Sequence, residues 1–275
     1  MSFPRIAFIG GGNMASAILG GLLRAGRPPE SLLVLEPSAA QRERLAGELG
    51  LQACADAAAL SAAGLDQAAL VVWAVKPQLF AEAAAPLAGQ LGQALQLSVM
   101  AGIPSEALRR ASGSERVVRA MPNTPALIGQ GMTGLYAREA VSAADRQLVE
   151  QVLAPTGAWL WLAQESQIDA VTALSGSGPA YFFFVVESMM QAAQALGLSA
   201  EQGRQLALGT CAGAAALALQ SEESPTQLRE KVTSKGGTTH AAISSLQADG
   251  VDAALRRAVL AAAQRARELG EEFGR

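Results

Sequence analysis

Two glycine-rich stretches at opposite ends of this chain carry residue types that can hold anions. The first is FIGGGNMASAILGGLL, residues 8–23, with Gly10-x-Gly12-x-x-Ala15 between an apolar run and a helical pattern. In that context Gly10 permits a tight turn, Gly12 lets a pyrophosphate approach the backbone, and Ala15 allows close helix–sheet packing. Gly11, Asn13 and Met14 complete this dinucleotide fingerprint. The second is KVTSKGGTTHAAISSL, residues 231–246, which has the letters of a phosphate loop in another order. A phosphate loop of the type G-x-x-x-x-G-K-[ST] follows a strand. Here Lys235 precedes the glycines, and PTQLREKV before it reads as a helix with Pro225 in its first turn. The stretch is therefore a helix–loop–helix corner with two readings. Its amides from Gly236 to Thr239 form an anion nest at a helix start, or the Thr238 or Thr239 side chain merely caps that helix.

Other candidates fall where strands end. Glu36 lies about twenty residues past the fingerprint, where an acidic side chain bonds a ribose 2′-hydroxyl. Ser38, Arg42 and Arg44 follow it and are suited to a 2′-phosphate, or to a solvated helix face. Ala74, Val75, Lys76 and Pro77 close one apolar run, and Ala101 and Gly102 close another, at the edge where open sheets bind ligands. Asn123 and Thr124 sit between two prolines in RAMPNTPALIGQGMT, which holds them in a rigid loop. His240 is the single histidine, no cysteine is placed to serve it, and no metal-ligand spacing is present, so no metal is expected. Lys231 is the one lysine suited to act as acid–base from a helix of the second half, and Glu187 needs a partner if its helix is buried.

The elements that must position these residues divide the chain in two. Near-continuous apolar runs at 5–10, 32–36, 68–77, 95–102 and 116–122 alternate with helical segments such as 13–25, 39–49, 78–91 and 105–112. That alternation predicts an α/β, Rossmann-type, doubly wound parallel sheet covered on both faces. Beyond about residue 163 only helical patterns remain, which predicts an all-α C-terminal domain and a boundary near Leu162: 1–162, then 163–275. The segment 179–197 is apolar nearly all round and is expected to be buried centrally or in a subunit interface. Half of the 275 residues are hydrophobic and only 4% aromatic, so Ala, Leu and Val must build the core. A net charge of −3 gives no reason to expect nucleic acid or a membrane as partner. The N-terminus has no signal-peptide pattern, and Cys54 and Cys211 suggest no disulfide framework, so a cytoplasmic location is expected.

The strings IGGGNMASAILGG, AVKP, RAMPNTPALIGQGMT, LSGSGPAY and VTSKGGTTHAAI occur in one order along the whole chain. Together they resemble the pyrroline-5-carboxylate reductases, which make L-proline by reducing a cyclic imine. The resemblance implies NADPH as cofactor, while the position of Glu36 points to NADH, so both are expected to be accepted; it also implies a helical domain that interlocks with a second subunit, in some members as rings of dimers. It implies that the nicotinamide meets the Gly-Gly-Thr-Thr loop, where Ser234, Gly236, Gly237, Thr238 and Thr239 hold the substrate carboxylate. Thr239 would bond the imine nitrogen, and Asn123 and Thr124 would shape the pocket. Lys235 stands where the family commonly has proline. Two other readings of the residues are a β-hydroxyacid dehydrogenase using Lys231 and a dinucleotide-sensing module without catalysis.

Overall fold

The computed structural model describes residues 3–273. Its strands are β1 (Arg5–Ile9), β2 (Leu32–Leu35), β3 (Ala68–Trp73), β4 (Leu95–Ser98), β5 (Val117–Met121), β6 (Gly131–Ala137) and β7 (Gly157–Trp161). They form one sheet in the order β2-β1-β3-β4-β5-β6-β7. The first five are parallel, β6 runs antiparallel to β5, and β7 runs parallel to β6. Alternate residues of each strand point to opposite faces, and both faces are packed. Ile6, Phe8, Leu70, Val72, Leu95 and Leu97 belong to one buried cluster, while Ala7, Ile9, Val71 and Trp73 belong to the other. Burial on both sides is why β1 and β3 read as apolar runs, while β4 buries the polar Gln96 and Ser98 on its second face.

Two expectations need correction, and a third is narrowed to one of its two alternatives. The sheet is not wholly parallel, and β6 and β7 were not foreseen, because Gly131, Thr133 and Gly134 interrupt the first and the second is a half-exposed edge. The helix expected over 78–91 is instead a 3₁₀ turn, Pro77–Leu79, a short helix, Phe80–Ala84, and a second 3₁₀ turn, Ala85–Leu87. Pro86 has no N–H to continue the ladder. Within one chain the apolar helix Gly178–Ala195 is not buried: only Gly178, Val186 and Ala193 are. Phe182, Phe183, Phe184 and Val185 are exposed by 63%, 59%, 70% and 51%. Four successive residues sweep about 300° around a helix, so this helix is bare on nearly every side. Glu187 on it is exposed and requires no buried partner.

The chain forms two compact units. One comprises the residues up to Ser177 together with those from Ala262 on, and the other runs from Gly178 to Ala261. The segment after β7 belongs to the first unit because Ile168 and Ala173 are buried there and the helix Gln167–Val171 packs on β5 and β6. The C-terminal helix Val251–Phe273 ends in the first unit, where Phe273 packs on the second core cluster. Within the second unit the helices Ala200–Gln220 and Pro225–Lys231 each begin with a serine capping box, Ser199 with Gln202 and Ser224 with Gln227. Among the described residues, no helix is long and apolar enough to cross a membrane.

Candidate active site

The register of the sheet brings four strand ends level. Ile9 pairs with Leu35 and with Trp73, and Trp73 pairs with Ser98. The residues that follow therefore form a row along the carboxyl edge: Gly10, Glu36, Ala74 and, after two more residues on β4, Ala101 and Gly102. Strand order reverses between β1 and β3, and open α/β sheets bind ligands at such a switch point. Gly10 has φ +97° and donates to the Leu35 carbonyl at 2.8 Å, while Ala74 donates to Ile9 at 2.8 Å. A Cβ on Gly10 would lie 2.8 Å from the Ala74 carbonyl oxygen. Gly12 begins the helix Asn13–Arg24 with no side-chain cap and no acidic residue in its first turn. A Cβ there would meet nothing within 4 Å. Glycine at 10 thus serves the protein's own turn, whereas glycine at 12 leaves the helix start uncapped and open. Ala15 is fully buried, Met14 packs on the core, and Asn13 is exposed.

Those two roles predict opposite defects. Gly10→Ala forces an unfavourable φ and a backbone overlap, and should destabilise the fold by at least about 2 kcal/mol. Gly12→Ala should leave the melting temperature unchanged and weaken dinucleotide binding tenfold or more. Calorimetric titration and thermal melts on both variants separate the two, and a Gly12→Ala protein that binds normally would refute the assignment.

At the β2 end, Glu36 turns its carboxylate back onto the fingerprint. Oε2 accepts from the Gly11 amide at 2.8 Å and Oε1 from the Ser38 amide at 2.9 Å. The Ser38 hydroxyl caps the helix Ala39–Leu49, accepting from Gln41. Gln41 also donates to the Gly11 carbonyl. Neither arginine is merely solvated. Arg42 donates to the carbonyls of Glu36 and Pro37 at 3.0 and 2.7 Å, and Arg44 reaches Asn13 Oδ1 at 3.4 Å and Glu48 at 3.3 Å. Lys76 is exposed beside half-buried Ala74, Val75 and Pro77, and Gly102 is buried with φ +75°.

Asn123 is spent on the scaffold. Its Oδ1 accepts from the Met132 amide at 2.9 Å, and its Nδ2 donates to Ser175 O and Oγ at 3.2 Å. Thr124 beside it is exposed and opens a 3₁₀ turn. The partner Ser175 lies in a π-helical segment, Thr172–Gly176, a distortion frequent at functional sites. Neither that segment nor the Gln41 bond has a local sequence signal. Near Asn123, Arg119 of β5 pairs with Glu165 at 2.9 Å. Burial alone would raise the Glu165 carboxyl, but the Ser105 hydroxyl and amide and the Arg119 guanidinium hold it below the usual carboxylate range.

In the second unit, the corner 231–239 is a turn closed by the Gly237 amide, which donates to the Ser234 carbonyl at 3.0 Å. Gly236 sits in it with φ +77° and open space around a would-be Cβ. This corrects one expectation, because the Gly237 amide is already engaged. Gly237 is the N-cap of the helix Thr238–Ala248, and no side chain caps that helix. Thr238 and Thr239 are its first two residues, so the cap reading fails and their amides have no partner inside the helix. Ser234 is exposed, Thr239 half-buried, and His240 exposed. Lys231, the acid–base candidate of the hydroxyacid dehydrogenase reading, is exposed, and its Nζ lies 2.6 Å from Glu223. Among the described residues no group of three potential metal ligands occurs.

The pyrroline-5-carboxylate reductase dimerisation model matches residues 165–269, and the model of the coenzyme F420-dependent NADP oxidoreductases matches residues 5–102. Over 276 aligned residues the chain is 48% identical to the pyrroline-5-carboxylate reductase of Pseudomonas aeruginosa, covering 100% of each. This chain belongs to the pyrroline-5-carboxylate reductase family. The solved structure of the Coxiella burnetii reductase is 37% identical with a TM-score of 0.88, covering 98% of this chain and 99% of that one. The Plasmodium falciparum enzyme, solved with NADP bound, is 28% identical with a TM-score of 0.86 over the same shares. As a member of the family this chain is an oxidoreductase, and its mostly parallel sheet with a helical C-terminal region is the fold of those reductases.

Proposed function

We propose that this chain reduces 1-pyrroline-5-carboxylate to L-proline with NADPH, its substrate held at the corner of Ser234 to Thr239. The observation that carries this reading is the uncapped helix start at Thr238. Charge-assisted bonds from the Thr238 and Thr239 amides would each contribute about 1.5–3 kcal/mol to holding the substrate carboxylate. The helix dipole would add about 0.3–2 kcal/mol. Gly236 and Gly237 let the anion approach, and the exposed Ser234 hydroxyl is a further donor. Gly10 to Ala15, Glu36, Ser38, Ala74 to Pro77, Ala101 and Gly102 hold the dinucleotide, which when bound supplies the hydride for the imine carbon. Thr239 orients the ring through a hydrogen bond between its hydroxyl and the ring nitrogen, which draws its proton from water. A protonated imine accepts hydride readily, so positioning suffices and no histidine or cysteine acid is needed. Asn123 supports the pocket indirectly, through its bonds to Met132 and Ser175.

The same reading makes the working form a homodimer, with rings of dimers as a further expectation, and locates it in the cytoplasm. NADPH oxidation should be rapid with 1-pyrroline-5-carboxylate, and NAD⁺ reduction with β-hydroxyacids should be absent. The opposite result would move the chain to the hydroxyacid dehydrogenases, and cofactor binding without turnover to the sensing modules.

Cofactor choice turns on Glu36. Its carboxylate occupies the Gly11 and Ser38 amides that a 2′-phosphate would draw on. Two unit charges about 4 Å apart repel by roughly 4 kcal/mol at an effective dielectric near 20, reduced severalfold by screening in an open crevice. Arg42 offsets part of the remainder. Both cofactors should work, with a narrowed advantage for NADPH. Glu36→Thr should shift the kcat/KM ratio of NADPH to NADH several-fold towards NADPH. An unmoved ratio would mean that Glu36 only braces the Gly11 turn.

A further inference from the structure

One carboxylate joins three segments around the first unit's carboxyl edge. Glu165 Oε1 accepts from the Ser105 amide at 2.7 Å and from Arg119 Nη1 at 2.9 Å, and Oε2 accepts from the Ser105 hydroxyl at 2.6 Å. Arg138 adds a bond to Ser105 Oγ at 3.3 Å. Ser105 opens the helix that follows the Ala101–Gly102 turn, Arg119 lies on β5 two residues before Met121 and four before Asn123, and Glu165 lies between β7 and the π segment carrying Ser175. The far side of the turn is closed as well. A Cβ on Gly102 would lie 3.2 Å from Leu269 Cβ and 3.4 Å from its carbonyl oxygen. Asp169 and Arg267 complete the charged surroundings of Arg119.

The Arg119 side chain is only 7% exposed, and its Nε is the one buried side-chain nitrogen or oxygen lacking a hydrogen-bond partner among the described residues. Its strand neighbour on the same face, Val117, is apolar and fully buried. A buried ion pair of this kind is commonly no more stabilising than an apolar replacement of similar volume, while it does fix the relative position of what it joins. The position it fixes is specific. Ala101–Gly102 and Asn123 follow β4 and β5, whereas the adenosine end of the crevice follows β1 and β2, with β3 between. Strands lie about 4.8 Å apart, so the junction stands at the other end of a dinucleotide laid across the edge.

We propose that Glu165 is a positioning residue for hydride transfer. Through Ser105 it holds the Ala101–Gly102 turn, and through Arg119 it holds the β5 end that carries Asn123, so the nicotinamide end of the crevice keeps its shape. This rests on the reading of the chain as an NADPH-dependent imine reductase.

The test uses the full chain and a fragment, 2′,5′-ADP, that occupies only the adenosine end. Glu165→Ala should lower kcat with 1-pyrroline-5-carboxylate and NADPH tenfold or more, while 2′,5′-ADP affinity stays within twofold. Glu165→Gln keeps an acceptor oxygen for the Ser105 amide and Arg119, and should recover at least a third of the wild-type kcat. If Glu165→Ala does not fold, Ser105→Ala removes only the hydroxyl bonds and should lower kcat threefold or more with the same fragment affinity. The proposal is overturned if the folded variant keeps its kcat, if kcat and fragment affinity fall together, or if Glu165→Gln is as impaired as Glu165→Ala. A wild-type protein inactive on the imine would instead refute the functional reading, which the same assay reports separately.

Discussion

Thr239→Val is expected to lower kcat by about ten- to a thousandfold, one hydrogen bond made in the transition state being worth about 1.5–4 kcal/mol. The substitution keeps the β-branched shape and the backbone amide and removes only the hydroxyl. Gly237, not Thr239, is the N-cap of this helix, so the loss of the hydroxyl removes no cap. Carboxylate binding runs through backbone amides and should persist, leaving KM nearly unchanged. NADPH affinity should also change little, because the dinucleotide's candidate residues lie in the other compact unit. No neighbouring side chain is placed by the sequence to take over, since His240 is exposed and follows on a different face of the helix. Steady-state kinetics with a circular-dichroism control decide the matter. A folded variant with wild-type kcat would leave Thr239 with only its amide to contribute.

Placing a charge on the bare helix should have an effect as large. Phe183→Glu is expected to convert the protein to a monomer and to lower activity per mole a hundredfold or more. In a single chain Phe182, Phe183, Phe184, Val185 and Met189 stand exposed, and contiguous apolar surface of that extent marks an interaction face. The match of residues 165–269 to a dimerisation model gives the kind of partner, a second copy. Each phenylalanine buried there would stabilise the pair by about 1.5–3 kcal/mol, and a lone carboxylate in its place would have to be desolvated without a partner. Light scattering and assay on the same sample provide the check. A fully active wild-type monomer would overturn the dimer, and so would a Phe183→Glu protein that remains an active dimer. Wild-type activity should also fall on extreme dilution, as it does wherever the folded, working state depends on association.

Much of the fold was legible in the sequence because the demands that set it are local. Strands β1 and β3 are covered by apolar side chains on both faces, so their apolar runs are legible without reference to the rest of the chain. Gly10 declared its turn because few other residues tolerate φ +97°, and Pro225 and the Ser224–Gln227 box marked a helix start through their own backbone groups. Pro86 is an equally local signal, since a residue without an N–H breaks the helical ladder over 78–91. The rest depended on which residues meet across long stretches of chain. Glu36 reaches Gly11 over 25 residues, Asn123 reaches Ser175 over 52, and Glu165 reaches Ser105 over 60. Those partners are chosen by strand register and by the path of the segment after β7, neither of which leaves a periodicity to read. The direction of β6 was hidden for the same reason, since its residues suit either orientation until β5 supplies a ladder. In the second unit the limit is different: an all-round apolar helix states that it must be covered. Only its exposure in the folded chain decides that its own chain does not cover it.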